Sequence, residues 1–357
     1  MILVVIAFFS LMGLIILHEF GHFILAKEFG VKVEEFGIGY PPRIFGKKIG
    51  ETIYSLNLLP FGAFVKMPGE IGDKDNKSSF SHQAVWKRAV IAFGGVLSFW
   101  IMAAILFSIV FGIGAQVVVD DNQRDITNPK VQIAGVSTGS PAEKAGLKLG
   151  DTIKTVEVGG VVAEIGKVKD LQDFTAQHLG QDLSLTVERG KENLVLKLTP
   201  RVSPPAGEGP VGVSLVRTAI KSYPWYQAPW QGIVSTVSMT GAIIEGYGQA
   251  IKNVAGGVPS GVQMTGPIGI FQMLSQAGQM GAAYFVQFVG MIAIYMAIFN
   301  VLPIPAVDGG KLMFLLIEAI RRRPIPEKVE QSITAVFFMA LLLLMAFVTV
   351  KDIIRIF

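Results

Sequence analysis

Two histidines four residues apart with a glutamate between them, in the run His18-Glu19-Phe20-Gly21-His22, are equipped to bind and use a divalent metal. On a helix, positions i and i+4 share a face, so both imidazoles can turn toward one ion. Glu19 is placed to take a proton from a water on that ion. This is the HExxH arrangement of metallohydrolases, and zinc suits it. Zinc accepts imidazole nitrogen and carboxylate oxygen, keeps a position open for water, and brings that water's pKa to about 7. The setting is unusual, because residues 14–26, LIILHEFGHFILA, are otherwise hydrocarbon.

A catalytic zinc needs a third protein ligand. The chain has no cysteine, which excludes disulfides and thiolate sites and leaves His, Asp and Glu as donors. The other histidines are His82, in a basic loop, and His178, in a mixed-charge insert. Asp308 has the better claim, since it sits in an apolar segment where a carboxylate is costly and by default has a partner. His82 stays open as an alternative.

Apolar types make up 51% of the 357 residues and charged types 16%, against about a quarter charged in a soluble domain. The expectation is a membrane protein with a soluble insert. Four segments approach the roughly 20 apolar residues a spanning helix needs: 2–26, 89–118, 284–320 and 333–350. No Lys or Arg precedes Lys27 and no small-residue cleavage site follows, so the first segment reads as an uncleaved helix. The third is interrupted by NVLPIPAVDGG (300–310), where Pro303 and Pro305 must break the helix. Broken helix at membrane depth is tolerated only beside a cavity or other protein. Ten Lys or Arg lie between the first two segments, and Arg321, Arg322 and Arg323 follow the third, so both loops are expected in the cytosol and the insert and both termini outside. The formal charge of +4 is mild and spread over many loops, which does not suggest nucleic acid.

Within the insert (about 120–229), VQIAGV reads as a strand and GSPAEKAGLKLGD as a short helix with Ser140 as N-cap, Pro141 at N1 and Glu143 closing a capping box. TIKTVEV reads as a strand, and residues 167–179 as a helix with Val168, Leu171, Phe174 and His178 on one face. A hairpin is expected around RGKE (189–192). This order resembles a circularly permuted bacterial PDZ domain, a fold that takes an extended peptide or C-terminus at a sheet edge. Residues 40–80 suggest a hairpin at or dipping into the cytosolic face. Trp225, Tyr226 and Trp230 suit an interfacial belt, followed by an amphipathic surface segment.

Taken together, HEFGH, LLPFGAFVKMPGE, the PDZ-like insert, TGPIGI (265–270) and NVLPIPAVDGG resemble the bacterial site-2 protease family (peptidase M50), intramembrane zinc metalloproteases that include enzymes acting on anti-sigma factors, which implies anti-sigma-factor-like or signal-peptide-like substrates. The resemblance covers nearly the whole chain. It implies a mainly α membrane protein, with a four-transmembrane-helix core, a membrane-associated β-hairpin and an inserted α+β PDZ domain. The implied division is 1–118 for the first two spans with the hairpin at 40–80, 119–203 for the PDZ-like domain, 204–282 for a linker with a surface segment, and 283–357 for the last two spans. It further implies Zn2+ bound by His18, His22 and Asp308, Glu19 as catalytic base, and Asn300 engaging the substrate backbone. Asn57, Gly62 and Phe64 on the hairpin are the expected substrate contacts, with a locally unwound substrate adding as a strand to a 53–66 hairpin. Many members carry GPxxN where this chain has GGVLSF, so Gly95 is kept while Val96 and Ser98 replace proline and asparagine. The expected partners are the lipid bilayer, single-span substrates and a peptide at the PDZ groove, in a bacterial inner or plasma membrane. The rival readings are an inert membrane-anchored PDZ scaffold and a metal transporter or sensor.

Overall fold

The computed structural model describes residues 2–69, 78–123, 126–190, 192–205, 207–257 and 265–356. Among the described residues, four helices are long and apolar enough to cross a membrane: α1 (Ile2–Glu28), α2 (Val85–Ile113), α7 (Ala282–Val301) and α9 (Glu327–Ile356). Helix is the form these runs must take in hydrocarbon, because it satisfies every backbone group within the segment. Two of the expected segments differ in extent. The second ends at Ile113, where Gly114 takes φ +114°, and residues 115–118 leave the helix to pair in a sheet. The third is two helices: α7, and α8 (Asp308–Arg321), which at about 21 Å is too short to span.

The chain is also richer in strand than a mainly α protein. After α1, β1 (Glu35–Ile49) turns at Gly50 into β2 (Thr52–Lys66). Both are 15 residues long, and bulges fold the pair on itself. Phe36 registers with both Tyr54 and Val65, while Tyr54 also registers with Lys47. The ribbon order is therefore 43–49, 52–57, 35–38, 63–66, with 63–66 on an outer edge. Residues 53–66 are not a hairpin of two adjacent arms, because 35–38 lies between 53–56 and 63–66. Expected features at 70–77 lie outside the described residues.

By contacts the chain divides into two compact units, Met1–Ile109 with Pro229–Ser275 and Val286–Phe357, and Val110–Ala228 with Gln276–Phe285. The first holds the long helices and the hairpin, and includes α5 (Ala228–Ala255) almost entirely. A buried cluster of Phe23, Ala26, Val31, Val33, Phe36, Met67, Phe80 and Ile91 joins the end of α1 to the hairpin and the start of α2.

The second unit is built on a seven-stranded sheet. Its strands are β3 (Ala115–Val118), β4 (Thr127–Val136), β5 (Thr152–Val158), β6 (Val161–Glu164), β7 (Leu183–Arg189), β8 (Glu192–Leu198) and β9 (Val213–Lys221). The order is β3-β9-β4-β5-β7-β8, with β6 beside β5. Alternate residues such as Ile153, Leu183, Leu185 and Val187 point into one core, which α4 (Val168–Gln177) covers with Leu171. In α3 (Pro141–Lys144) Ser140 Oγ accepts from the Glu143 N–H at 3.1 Å. The Glu143 carboxylate reaches back one residue further than expected, to the Gly139 N–H at 2.6 Å. Strand β9 lies within the expected insert but beyond the 119–203 range expected for the PDZ-like domain, yet it is interior to the sheet. It enters between β3 and β4 because its partners, not its own pattern, decide its place. Of the expected RGKE hairpin, β7 and β8 are present, and Lys191 lies outside the described residues. The segment expected as surface helix contains α5 and α6 (Pro267–Met280).

Candidate metal centre

His18 and His22 stand one helical turn apart near the end of α1, and both are buried. Asp308 arrives as the first residue of α8. Its placement depends on the broken segment before it. Pro303 and Pro305 interrupt the helix, and Gly309 and Gly310 then tuck beneath the backbone of 301–305. A Cβ on Gly309 would stand 2.6 Å from the Val301 carbonyl carbon, and one on Gly310 would stand 2.7 Å from that of Ile304. Only glycine permits that fold-back.

Asp308 Oδ2 lies 3.3 Å from Nε2 of His18 and 3.3 Å from Nε2 of His22. The three ligand atoms all fall within 4.8 Å of one another. Ligands about 2.0–2.1 Å from a tetrahedral zinc stand about 3.3 Å apart, so the Asp308 distances suit that ion. Asp308 Oδ2 is buried and accepts no hydrogen bond, as befits an oxygen kept for a metal. His22 Nδ1 donates to the Ile91 carbonyl at 2.9 Å, which leaves the Nε2 lone pair facing the centre. The His18 ring is stacked on Phe99, with centroids 4.6 Å apart. Among the described residues this is the one group of three or more His, Asp or Glu so placed.

Close approach of α2 makes the centre compact. Gly95 faces both imidazoles: a Cβ there would stand 2.5 Å from His22 Cε1 and 2.7 Å from His18 Cε1. Gly21 meets Ser98 and the Gly94 backbone in the same way, so the glycine of HEFGH is a packing residue. Arg88 on α2 makes a two-pronged ion pair with Glu318 on α8, at 2.5 and 3.1 Å, tying the helix that carries Asp308 to the helix that backs the histidines. Sequence reasoning missed Gly21, Ile91, Phe99 and this pair. Gly21 carried a signal as a small residue inside a helix, and the others carried none.

The other candidates are not members of this group. His82 is in a 3-10 turn, lining a recess of about 390 Å³ with Arg88, Lys311 and Glu318. His178 ends α4 in the sheet unit, its Nδ1 donating to the Phe174 carbonyl at 2.8 Å. Asn300 sits at the end of α7, its amide donating to the Met296 carbonyl at 2.9 Å. Asn57 is buried, its amide donating to the Gly39 carbonyl at 3.1 Å and to Ser55 Oγ at 3.2 Å, so it pins the hairpin internally. Gly62 takes φ +110°, and Phe64 is on the outer 63–66 edge.

Residues 6–344 match the model of peptidase family M50. A proposed zinc metalloprotease of Clostridium perfringens is 32% identical over 354 residues, covering 98% of each chain. One of Brucella suis is 29% identical over 367 residues, covering 96% of this chain and 93% of its own. A proposed chloroplast membrane metalloprotease of Arabidopsis thaliana is 28% identical over 358 residues, covering 96% of this chain and 78% of its own.

Proposed function

This chain belongs to peptidase family M50 and is a zinc metalloprotease, and we propose that it cleaves transmembrane segments of single-span proteins, in the manner of regulated intramembrane proteolysis. His18, His22 and Asp308 are the zinc ligands in this reading and Glu19 the catalytic base. The observation that carries it is the convergence of the three ligand atoms at the end of an apolar helix. Bound zinc lowers the pKa of a water to about 7 and polarises a carbonyl.

The chain's own residues do the rest. The Ile91 carbonyl and Phe99 hold the two imidazoles in orientation. Glu19 takes a proton from the attacking water. As the carbon–nitrogen bond breaks, it gives that proton to the leaving amine. A substrate helix has its carbonyls tied up in its own hydrogen bonds, so it must first unwind. The outer edge 63–66 of the hairpin is the place for it to add as a strand, with Gly62 and Phe64 at that edge and Asn300 holding the strand from α7. Asn57, buried and bonded to the Gly39 carbonyl, holds the hairpin together from within rather than touching substrate.

The PDZ reading of the second unit is supported by its antiparallel sheet and the two helices α3 and α4. In this reading it lies outside a bacterial inner or plasma membrane, with the basic loops in the cytosol. There it excludes substrates with bulky external domains, or takes a peptide at a sheet edge. The units that matter functionally are 1–118, 119–203 extended to include β9, the segment leading to 282, and 283–357.

Cleavage of a single-span substrate by wild type and Glu19→Gln, with zinc assayed in both, tests the assignment. Zinc retained with cleavage reduced about 10²–10⁴-fold is expected. Equal cleavage by both would remove Glu19 from the mechanism, and loss of zinc with unchanged folding would mean that Glu19 helps to hold the metal instead.

A further inference from the structure

The hairpin lies along α1 between two aromatic anchors. At one, Phe36 of β1 meets Phe20 and Phe23, with ring centroids 6.2 and 5.4 Å away. At the other, Phe61 of β2 meets Phe8 at 6.3 Å. From Phe8 to Phe20 the helix rises about 18 Å, an interval that includes His18 and Glu19. On the hairpin, Tyr40 falls between the same anchors, registered opposite Leu59.

The Tyr40 side chain is held but not covered. Its ring stacks on Phe64, with centroids 6.3 Å apart and planes 14° from parallel. It lies across the bend at Gly62, where a Cβ would stand 2.9 Å from its Cε2 and 3.3 Å from its Oη. Tyr40 is nevertheless 47% exposed, so the residue is only half covered by the hairpin. Burial of part of the ring and the negative charge of Glu19 hold the phenol above its ordinary value, so it carries its proton at neutral pH.

Peptide hydrolysis puts negative charge on the scissile carbonyl oxygen, and a preorganised donor aimed there contributes strongly. We propose that Tyr40 is a further catalytic residue of this protease, its Oη donating a hydrogen bond to the scissile carbonyl oxygen as charge develops on it. The phenol keeps its proton and forms no covalent bond. The same residue, stacked on Phe64 beside the 63–66 edge, sets how far along that edge the scissile bond sits. The inference rests on the proteolytic reading above.

Tyr40→Phe keeps the ring on Phe64 and removes only the donor. Two probes separate the possibilities. One is a fluorogenic single-span peptide of about 20 apolar residues with a central Asn-Gly-Ser to weaken its helix. The other is a phosphinic peptide, whose tetrahedral anion imitates the charged oxygen. The expected result for the full-length variant is kcat lower by about 10–100-fold and phosphinic-peptide affinity lower by a similar factor, with KM and zinc content unchanged. A variant within about twofold of wild type in both overturns the proposal, and so does a raised KM with unchanged kcat. Wild type that holds zinc yet neither cuts the peptide nor binds the phosphinic analogue refutes the proteolytic reading, and this inference with it.

Discussion

Gly95→Ala should empty the metal centre while leaving the helix that carries it intact. The added Cβ would stand 2.5 Å from His22 Cε1 and 2.7 Å from His18 Cε1, with His22 Nε2 nearer still. Carbon contacts settle at about 3.5 Å, so each ring must yield by roughly 0.8–1 Å. Neither ring is free to do so, because His22 is tied to the Ile91 carbonyl and His18 is packed on Phe99. Metal–ligand distances tolerate only about ±0.2 Å, several times less than the displacement required. Zinc affinity should fall at least 10–100-fold, the range seen when ligand orientation is disturbed, or about 1.4–2.8 kcal/mol. Alanine is a better helix former than glycine by up to about 1 kcal/mol, so α2 itself gains. Gly13→Ala, where nothing lies within 4 Å, is the matched control on α1. Zinc per chain is measured by elemental analysis against graded chelator, beside cleavage of a single-span substrate. If Gly95→Ala holds zinc as tightly as wild type, α2 does not back the imidazoles as described.

Arg88→Ala should destabilise the protein by about 2–4 kcal/mol, because it leaves Glu318 charged and poorly exposed, and it should weaken zinc retention through α8. The double variant Arg88→Leu/Glu318→Leu is expected to recover most of that stability in thermal unfolding; no recovery would mean the pair is not a buried unit. His82→Ala and His178→Ala should both keep zinc content and cleavage, and loss of zinc in either would reopen the choice of third ligand. Glu188 is paired with Lys154 at 2.6 Å and Lys130 at 2.9 Å, and these bonds hold its carboxyl below the ordinary 4.5. Its stabilisation is therefore present above that value and is lost as pH falls through the depressed one. Glu188→Gln should lower the unfolding temperature at pH 7 and make no difference once the pH is well below 4.5; an equal deficit at both pH values would contradict this assignment.

Much of the chemistry was legible because it is written locally. The i, i+4 spacing of His18 and His22 puts them on one helix face whatever surrounds them, and an apolar run of 27 residues has no option in a bilayer but helix. The prolines at 303 and 305 announce a break, and Ser140-Pro141 announces a helix start, since each acts through its own backbone. The choice of Asp308 over His82 as neighbour of the histidines could be argued from the cost of a carboxylate among apolar residues, but its position 3.3 Å from both rings depends on Gly309 and Gly310 folding beneath 301–305. Tertiary pairing alone decided the rest. Residues 115–118 were apolar enough to prolong α2 and became strand because β9 offered an edge. The two 15-residue strands fold on themselves because bulges let Phe36 register with two segments at once. Ile91, Phe99 and Arg88 act from α2 on a site carried by other helices. Nothing in their own neighbourhoods could say so, because contact across a packed interface is a property of both surfaces and of neither sequence alone.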